Sequence, residues 1–256
     1  MKNLAFYVIF VAAIFFFISC EKDNTDETSM QMTLTLQDAG AIWMSLSGSG
    51  LITVDFGDGT PASTYMLGSM STEITYAYSN SVSRTITITG DNIVYLNCNS
   101  NNLTNLDVSK NTLLTQLWCD KNKLTNLDIS KNTLLTVLDC SSNRLTDLDV
   151  SKNAVLSQFY CQSNKLTSLN VRKNMMLTRL YCHSNQLTDL DVSNNAVLSY
   201  LWCSSNRFSA NVLNDIFNAL PTYPQANYAG LIINDNPGSE TCNRDIALNK
   251  GWRFDK

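Results

Sequence analysis

The chain has 256 residues, 44% of them apolar, and a net charge of −4, which is enough for one elongated domain or two small ones. No basic footprint is present, which argues against nucleic acid as a partner. With His183 the sole histidine, a mechanism needing a histidine pair, or a metal cage built from histidines, is nearly excluded.

Lys2 precedes an apolar run from Leu4 to Ile18, and Ser19-Cys20 follows. A charged start, a short apolar core and a small residue at the cut form a signal peptide over residues 1–19. The run is about 15 residues, short of the roughly 20 that span a bilayer. Its ending resembles the bacterial lipoprotein signal, with Phe17 where leucine is commonest. That resemblance implies lipidation of Cys20 and a membrane anchor. Residues 20–29 (Glu21-Lys22-Asp23-Asn24-Thr25-Asp26-Glu27-Thr28 at their centre) have nothing apolar to bury until Met30 and read as an acidic, solvated tether. Such a run resembles the surface-export signal of Bacteroidota lipoproteins, which implies an outer-membrane, surface-exposed protein of the cell envelope.

Residues 30–91 alternate with period two. The runs are Met30–Leu36, Ile42–Leu46, Leu51–Phe56, Glu73–Tyr78 and Arg84–Thr89, separated by Gly and Ser clusters. They read as short antiparallel strands. Val54-Asp55-Phe56-Gly57-Asp58-Gly59-Thr60, followed by Tyr76-Ala77-Tyr78-Ser79, resembles the PKD domain, an immunoglobulin-like sandwich; the module is shorter than such sandwiches. Asp55 and Asp58 read as turn formers that bond their own backbone, in preference to a calcium site.

Residues 92–209 carry an internal repeat. Cys98, Cys119, Cys140, Cys161, Cys182 and Cys203 recur every 21 residues, and so do Asn101, Asn122, Asn143, Asn164, Asn185 and Asn206. The unit Leu-Thr-x-Leu-x-Cys-x-x-Asn-x-Leu-Thr-x-Leu-Asp-Val-Ser-x-Asn is a leucine-rich repeat in six copies. It is similar to internalin-like bacterial repeats, whose commonest unit is one residue longer. The expected fold is therefore mainly β, a 21-residue leucine-rich-repeat solenoid. A small Ig/PKD-like module precedes it and a short α/β cap follows.

Two extended segments per coil are expected. Leu117 and Cys119 point inward around Trp118 in the first, and Leu127 and Ile129 around Asp128 in the second. The cysteines form an inward ladder of small apolar groups. Their stacked side chains point in parallel, which suits neither disulfides nor a converging metal site. The asparagines read as turn residues bonding neighbouring backbone.

The outward position of the first segment reads Asn97, Trp118, Asp139, Tyr160, Tyr181, Trp202 down the stack, beside Gln158, Gln162, Arg179, His183 and Tyr200. Trp118, Tyr160, Arg179, Tyr181, His183, Tyr200 and Trp202 are the candidate ligand-binding residues. Aromatics with polar neighbours suit a sugar ring or the side chains of a protein partner. Equally, they stabilise a sheet by cross-strand contact. A second column, Asp107, Asp128, Asp149, Asn170 and Asp191, reads as a turn element in preference to a calcium site.

From residue 210 to 256 the repeat breaks. Val212, Leu213, Ile216, Phe217 and Leu220 follow helical spacing up to Pro221, Leu231-Ile232-Ile233 reads as a strand and Asn236-Pro237-Gly238 as a turn. This segment is expected to cap the solenoid. Cys242 has Cys203 as its nearest candidate partner, without evidence for a bond.

No carboxylate pair stands out from the repeat as a catalytic pair should, so no catalytic residue, cofactor or metal is expected. The reading is an adhesin-like surface lipoprotein that binds a protein or glycan through the aromatic strand face. The alternative is an accessory envelope lipoprotein whose repeats serve as a spacer.

Overall fold

The computed structural model describes residues 30–37, 40–223 and 229–255. The signal run, Cys20 and the acidic tether fall outside the described residues, apart from Met30 onward. Among the described residues no helix is long and apolar enough to cross a membrane.

The N-terminal module comprises β1 (Gln31–Leu36), β2 (Ala41–Asp55), β3 (Ser63–Leu67), β4 (Thr72–Ala77) and β5 (Arg84–Thr89). Ile42–Leu46 and Leu51–Phe56, expected as separate strands, belong to the single strand β2, apart from Phe56 just beyond its end. Its first half pairs with β4 and its second half with β3 and β5, all antiparallel. Gly48 lets the strand continue where a break was expected. A Cβ there would lie 1.9 Å from the Asn92 carbonyl oxygen, so only glycine admits the close approach of the next strand. The strand β3 is an addition to the expected set. In the following turn Asp55 Oδ1 accepts from Gly57 N (2.8 Å), and Asp58 Oδ1 accepts from Thr60 N (3.1 Å).

The first coil supplies β6 (Asn92–Asn97) and β7 (Leu103–Asp107). β6 pairs antiparallel with β2, while β7 pairs antiparallel with β1. The module and the repeats therefore share one sheet and one continuous hydrophobic core. Each later coil gives one short strand: β8 (Gln116–Trp118), β9 (Val137–Asp139), β10 (Gln158–Tyr160), β11 (Arg179–Tyr181) and β12 (Tyr200–Trp202). From β6 through β12 these stack in parallel, in register. The architecture is a mainly β solenoid.

The inward positions are Leu and Cys because each coil must bury its apolar edge against its neighbours. All six ladder cysteines are fully buried. The second segment keeps the expected facing, with Leu127 and Ile129 buried and Asp128 exposed. Beyond the first coil, however, it forms no paired strand among the described residues. Asp128 Oδ1 accepts from Ser130 N at 2.9 Å, and Asp107, Asp149 and Asp191 repeat the bond with Ser109, Ser151 and Ser193. Because Asp107 makes this Asx bond at the end of the paired strand β7, the bond itself does not prevent pairing; what sets the first coil apart is β1 lying beside its second segment. Asn170 makes the same Asx bond with Arg172 N at 3.1 Å, and Arg172 reaches Asp191 at 2.6 Å.

The asparagine column closes each coil from the second onward, while Asn101 of the first coil exchanges bonds with the Trp43 backbone in β2. Asn164 Nδ2 donates to the carbonyls of Cys140 and Cys161 (3.0 and 3.1 Å), and its Oδ1 accepts from Leu145 N at 2.9 Å. The residue before each ladder asparagine (Ser100, Lys121, Ser142, Ser163, Ser184, Ser205) is left-handed, with φ between 51° and 56°. A second column, Asn111, Asn132, Asn153, Asn174 and Asn195, is fully buried. Asn153 Nδ2 donates to the carbonyls of Ile129 and Asn132 in the preceding coil.

The expected helix is α1 (Ala210–Ala219), capped by Ser209, whose side chain accepts from Val212 N. The expected strand is β13 (Ala229–Ile232), parallel to β12. After the short helix α2 (Asp245–Leu248), β14 (Trp252–Phe254) adds one more parallel strand that was not foreseen. The cap is a modified continuation of the solenoid. Asn236 takes the ladder position, accepting from Asn206 N and donating to the Cys203 carbonyl. It stands 30 residues after Asn206, so the insertion carrying α1 leaves the closure intact.

All seven cysteines among the described residues are free, and Cys242 alone is partly exposed. Burial pushes the ladder thiols up, Cys182 to about 12. Low thiolate content and lack of access both suppress reactivity. In a chain without its first 20 residues, a thiol-specific reagent should label Cys242 under native conditions and the six ladder thiols only in denaturant. Fast native labelling of any ladder thiol would contradict the buried ladder.

Candidate functional site

The parallel register puts Asn97, Trp118, Asp139, Tyr160, Tyr181 and Trp202 in one column on the outer face of the sheet. Neighbouring strands lie about 4.8 Å apart, so side chains from adjacent coils must touch. Gln158, Arg179 and Tyr200 form a flanking column two residues earlier, while Gln162 and His183 lie two residues later, just past their strands.

Six of the seven candidate residues form one connected set of rings. Tyr160 and Tyr181 have centroids 4.9 Å apart, and Tyr181 meets Trp202 edge-on at 5.7 Å and Tyr200 edge-on at 5.2 Å. His183 stacks on Trp202 at 3.8 Å, with planes 17° apart. Trp118 and Tyr160 are two coils apart, yet their centroids are 6.2 Å apart, because both rings lean over the intervening Asp139. The seventh candidate, Arg179, makes no ring contact; it is exposed at the border of the set, close enough to act electrostatically on the Tyr181 phenol.

Local hydrogen bonds hold several members. Trp202 Nε1 donates to Ser204 Oγ at 2.6 Å, and the Tyr160 hydroxyl donates to Gln158 Oε1 at 2.8 Å. Trp118 Nε1, Gln162 Oε1 and His183 Nδ1 are shielded from solvent and have no hydrogen-bond partner. Such atoms cost free energy until a partner is supplied. Burial lowers the His183 pKa from 6.5 to about 4, so the imidazole is neutral at pH 7. Burial also raises the phenol pKa of Tyr181 and Tyr200. Over β10–β12, tyrosines, Trp202 and a neutral imidazole give a flat, amphipathic face whose charged member is Arg179 at its border.

Two acidic residues at the other end escaped the sequence reading as members of the site. Asp139 appeared only as an interruption of the aromatic column. Burial raises its pKa, against the lowering effect of Ser141, whose N–H donates to Oδ1 at 2.9 Å. Asp120 is 7% exposed, beside Asp139. Asp120 occupies a repeat position that is also buried as Ser141 and Ser204, whereas Asp139 stands where the other coils carry Asn97 or an aromatic residue. Also unforeseen is a cleft of about 360 Å³ where the β module meets the first coil, lined by Ile42, Trp43, Tyr76 and Asn101. Among the described residues no group of three or more His, Cys, Asp or Glu side chains is placed to hold a metal ion.

No protein-family model matches the sequence, and no curated protein matches it. Among solved structures the chain is similar to the functional domain of InlJ from Listeria monocytogenes, which includes a cysteine ladder. The identity is 35% over 60% of this chain and 37% of that one, with a TM-score of 0.43. A leucine-rich-repeat protein of Leptospira interrogans matches at 18% identity over 58% of this chain and 38% of that one, TM-score 0.49. An internalin, InlF, from Listeria monocytogenes matches at 21% identity over 57% and 42%, TM-score 0.49. The chain thus spans less than half the length of each of these internalin-like and leucine-rich-repeat neighbours.

The depressed His183 pKa has a measurable consequence. Between pH 6.5 and about 4 the unfolded chain takes up a proton at this residue that the folded chain does not. Stability should therefore fall as pH drops through that window, with no contribution from His183 above it. His183→Phe should flatten the dependence between pH 7 and 5 in urea unfolding. An unchanged dependence would place the imidazole in a solvated setting.

Proposed function

We propose that this chain is a cell-surface lipoprotein, anchored through Cys20, that recognises a protein partner through the aromatic strand face in an adhesin-like role. The observation that carries the reading is the connected ring set of Trp118, Tyr160, Tyr181, His183, Tyr200 and Trp202 on one rigid sheet. Partly exposed Trp and Tyr in a contiguous group are the residues that dominate protein–protein contacts, and a monomer rarely exposes a large apolar patch without use for it.

The packing within the set favours a protein over a glycan. A sugar ring needs an open aromatic face, whereas here His183 covers Trp202, and Tyr181 packs edge-to-face with Tyr200 and Trp202. What remains for a partner is a mosaic of ring edges, hydroxyls and amides, which suits side chains and peptide groups. In this reading the N-terminal β module is a PKD-like cap that ties the solenoid to its acidic tether. The lipid on Cys20 holds the whole at the outer membrane, facing outward. The chain itself performs no catalytic step.

The test uses the mature chain screened against host extracellular proteins and a glycan array, beside a variant with Trp118, Tyr160, Tyr181 and Trp202 all changed to alanine. Circular dichroism establishes that both are folded. The proposal expects a protein ligand whose affinity falls at least 100-fold in the folded variant, about 3 kcal/mol. Binding untouched by the four substitutions would move the site elsewhere, the Trp43–Tyr76 cleft first. Glycan binding alone would replace the protein reading, and no binding at all would favour the spacer role.

A further inference from the structure

Within the proposed recognition face, the stretch over coils two to four differs from the rest. Over β10–β12 the rings pack on one another, with the exposed Arg179 at their border. At the β8–β10 end, Trp118 and Tyr160 flank a carboxylate. Two parallel-strand spacings separate their backbones by roughly 9.6 Å, yet the ring centroids are 6.2 Å apart and the planes differ by 25°. The rings thus lean inward over Asp139, and Asp120 lies behind it, 7% exposed.

Among the described residues, no lysine or arginine forms an ion pair with either carboxylate; the pair that does form, Arg172–Asp191, is elsewhere. Lys121 acts on Asp139 only at longer range and is the weakest influence on it. Removing a carboxylate from water without a cation is costly. Desolvation, the largest influence on Asp139, and the neighbouring Asp120 charge both raise its pKa. Its hydrogen-bond partner is the neutral Ser141, through the backbone amide at 2.9 Å and the side chain, so no cation offsets the charge.

We propose that the Trp118–Asp139–Tyr160 notch, with Asp120 behind it, receives an arginine or lysine side chain of the protein partner; this inference rests on protein recognition by the aromatic face. The chemistry matches a cation at every point. A guanidinium or ammonium seated there lies within the ~6 Å range of cation–π attraction to both rings. It meets a carboxylate that lacks a counter-charge, and arginine adds the planar donor fork that fits two carboxylate oxygens. The chain's net charge of −4 also favours the approach of a basic partner. Asp139 thereby gives direction to the face: a cation is received at β8–β10, while β10–β12 offers aromatic and polar contacts bordered by the exposed Arg179.

The experiment uses the mature protein and two capped peptides, Ac-Gly-Arg-Gly-NH2 and its citrulline counterpart, equal in shape and differing in charge. Binding is followed by the Trp118 indole N–H resonance. The expected result is at least tenfold tighter binding of the arginine peptide, a preference lost in Asp139→Asn. Independently of any variant, 13C NMR of the Asp139 carboxyl should show its pKa falling when the arginine peptide is added. Equal binding of the two peptides, a preference that survives Asp139→Asn, or an Asp139 pKa that does not move would each overturn the proposal. Protein binding that needs the rings but ignores Asp139 contradicts this inference and leaves the proposed function standing. Protein binding that ignores the rings contradicts the proposed function instead.

Discussion

A buried carboxamide closes each coil of this solenoid from the second onward, and the remaining architecture depends on it. The turn after each short strand leaves carbonyls and an amide inside the protein, where no helix or sheet can pair them. One asparagine per coil bonds them all: Asn143 donates to the carbonyls of Cys119, Cys140 and Ser141 and accepts from Leu124 N. Buried backbone groups must be paired, so neither the side chain nor its spacing can drift. The left-handed residue before it is held in a costly conformation because the closure requires it. Even the cap obeys: Asn236 keeps the bonds after a longer interval.

From a fixed interval follow the columns. Inward positions stack Leu on Leu and Cys on Cys, with Phe159 standing in one leucine position, giving a core nearly the same in each coil. Outward positions stack too, but there the residue types differ, and those differences are where a binding specificity resides. Trp118, Tyr160, Tyr181 and Trp202 come together because the backbone is rigid and in register, not because they are near in sequence. The ring set is thus a product of the same closure that stabilises the fold. Asp139, one residue in the same column, is partly buried between the coils that carry Trp118 and Tyr160.

Much of this was legible in the sequence. The 21-residue recurrence of Cys and Asn identified the solenoid, the inward ladder and the outward column, since periodicity reports facing directly. The cap helix and its strand followed from ordinary helical spacing and Pro221. What was hidden depends on contacts between distant residues. β2 runs on through Gly48 because Asn92 approaches it, and no local pattern records that approach. β3 and β14 form because partner strands are already in place. The second segment of each coil alternates as a strand does, but only in the first coil does it find a partner strand, β1. Rings leaning over Asp139 were likewise invisible, as lean is a property of rotamers and neighbours.

The most direct test of the closure is urea unfolding of Asn143→Leu, beside Asn126→Leu as an exposed control. Leucine keeps the size of the side chain but leaves Leu124 N and the three carbonyls without their partner. The account predicts a loss of about 3 kcal/mol or more for Asn143→Leu, loss of hydrogen-exchange protection at the Leu124 amide, and little change in the control. A loss below about 1 kcal/mol, no larger than a typical surface substitution gives, would contradict the claim that the carboxamide holds the coils in register.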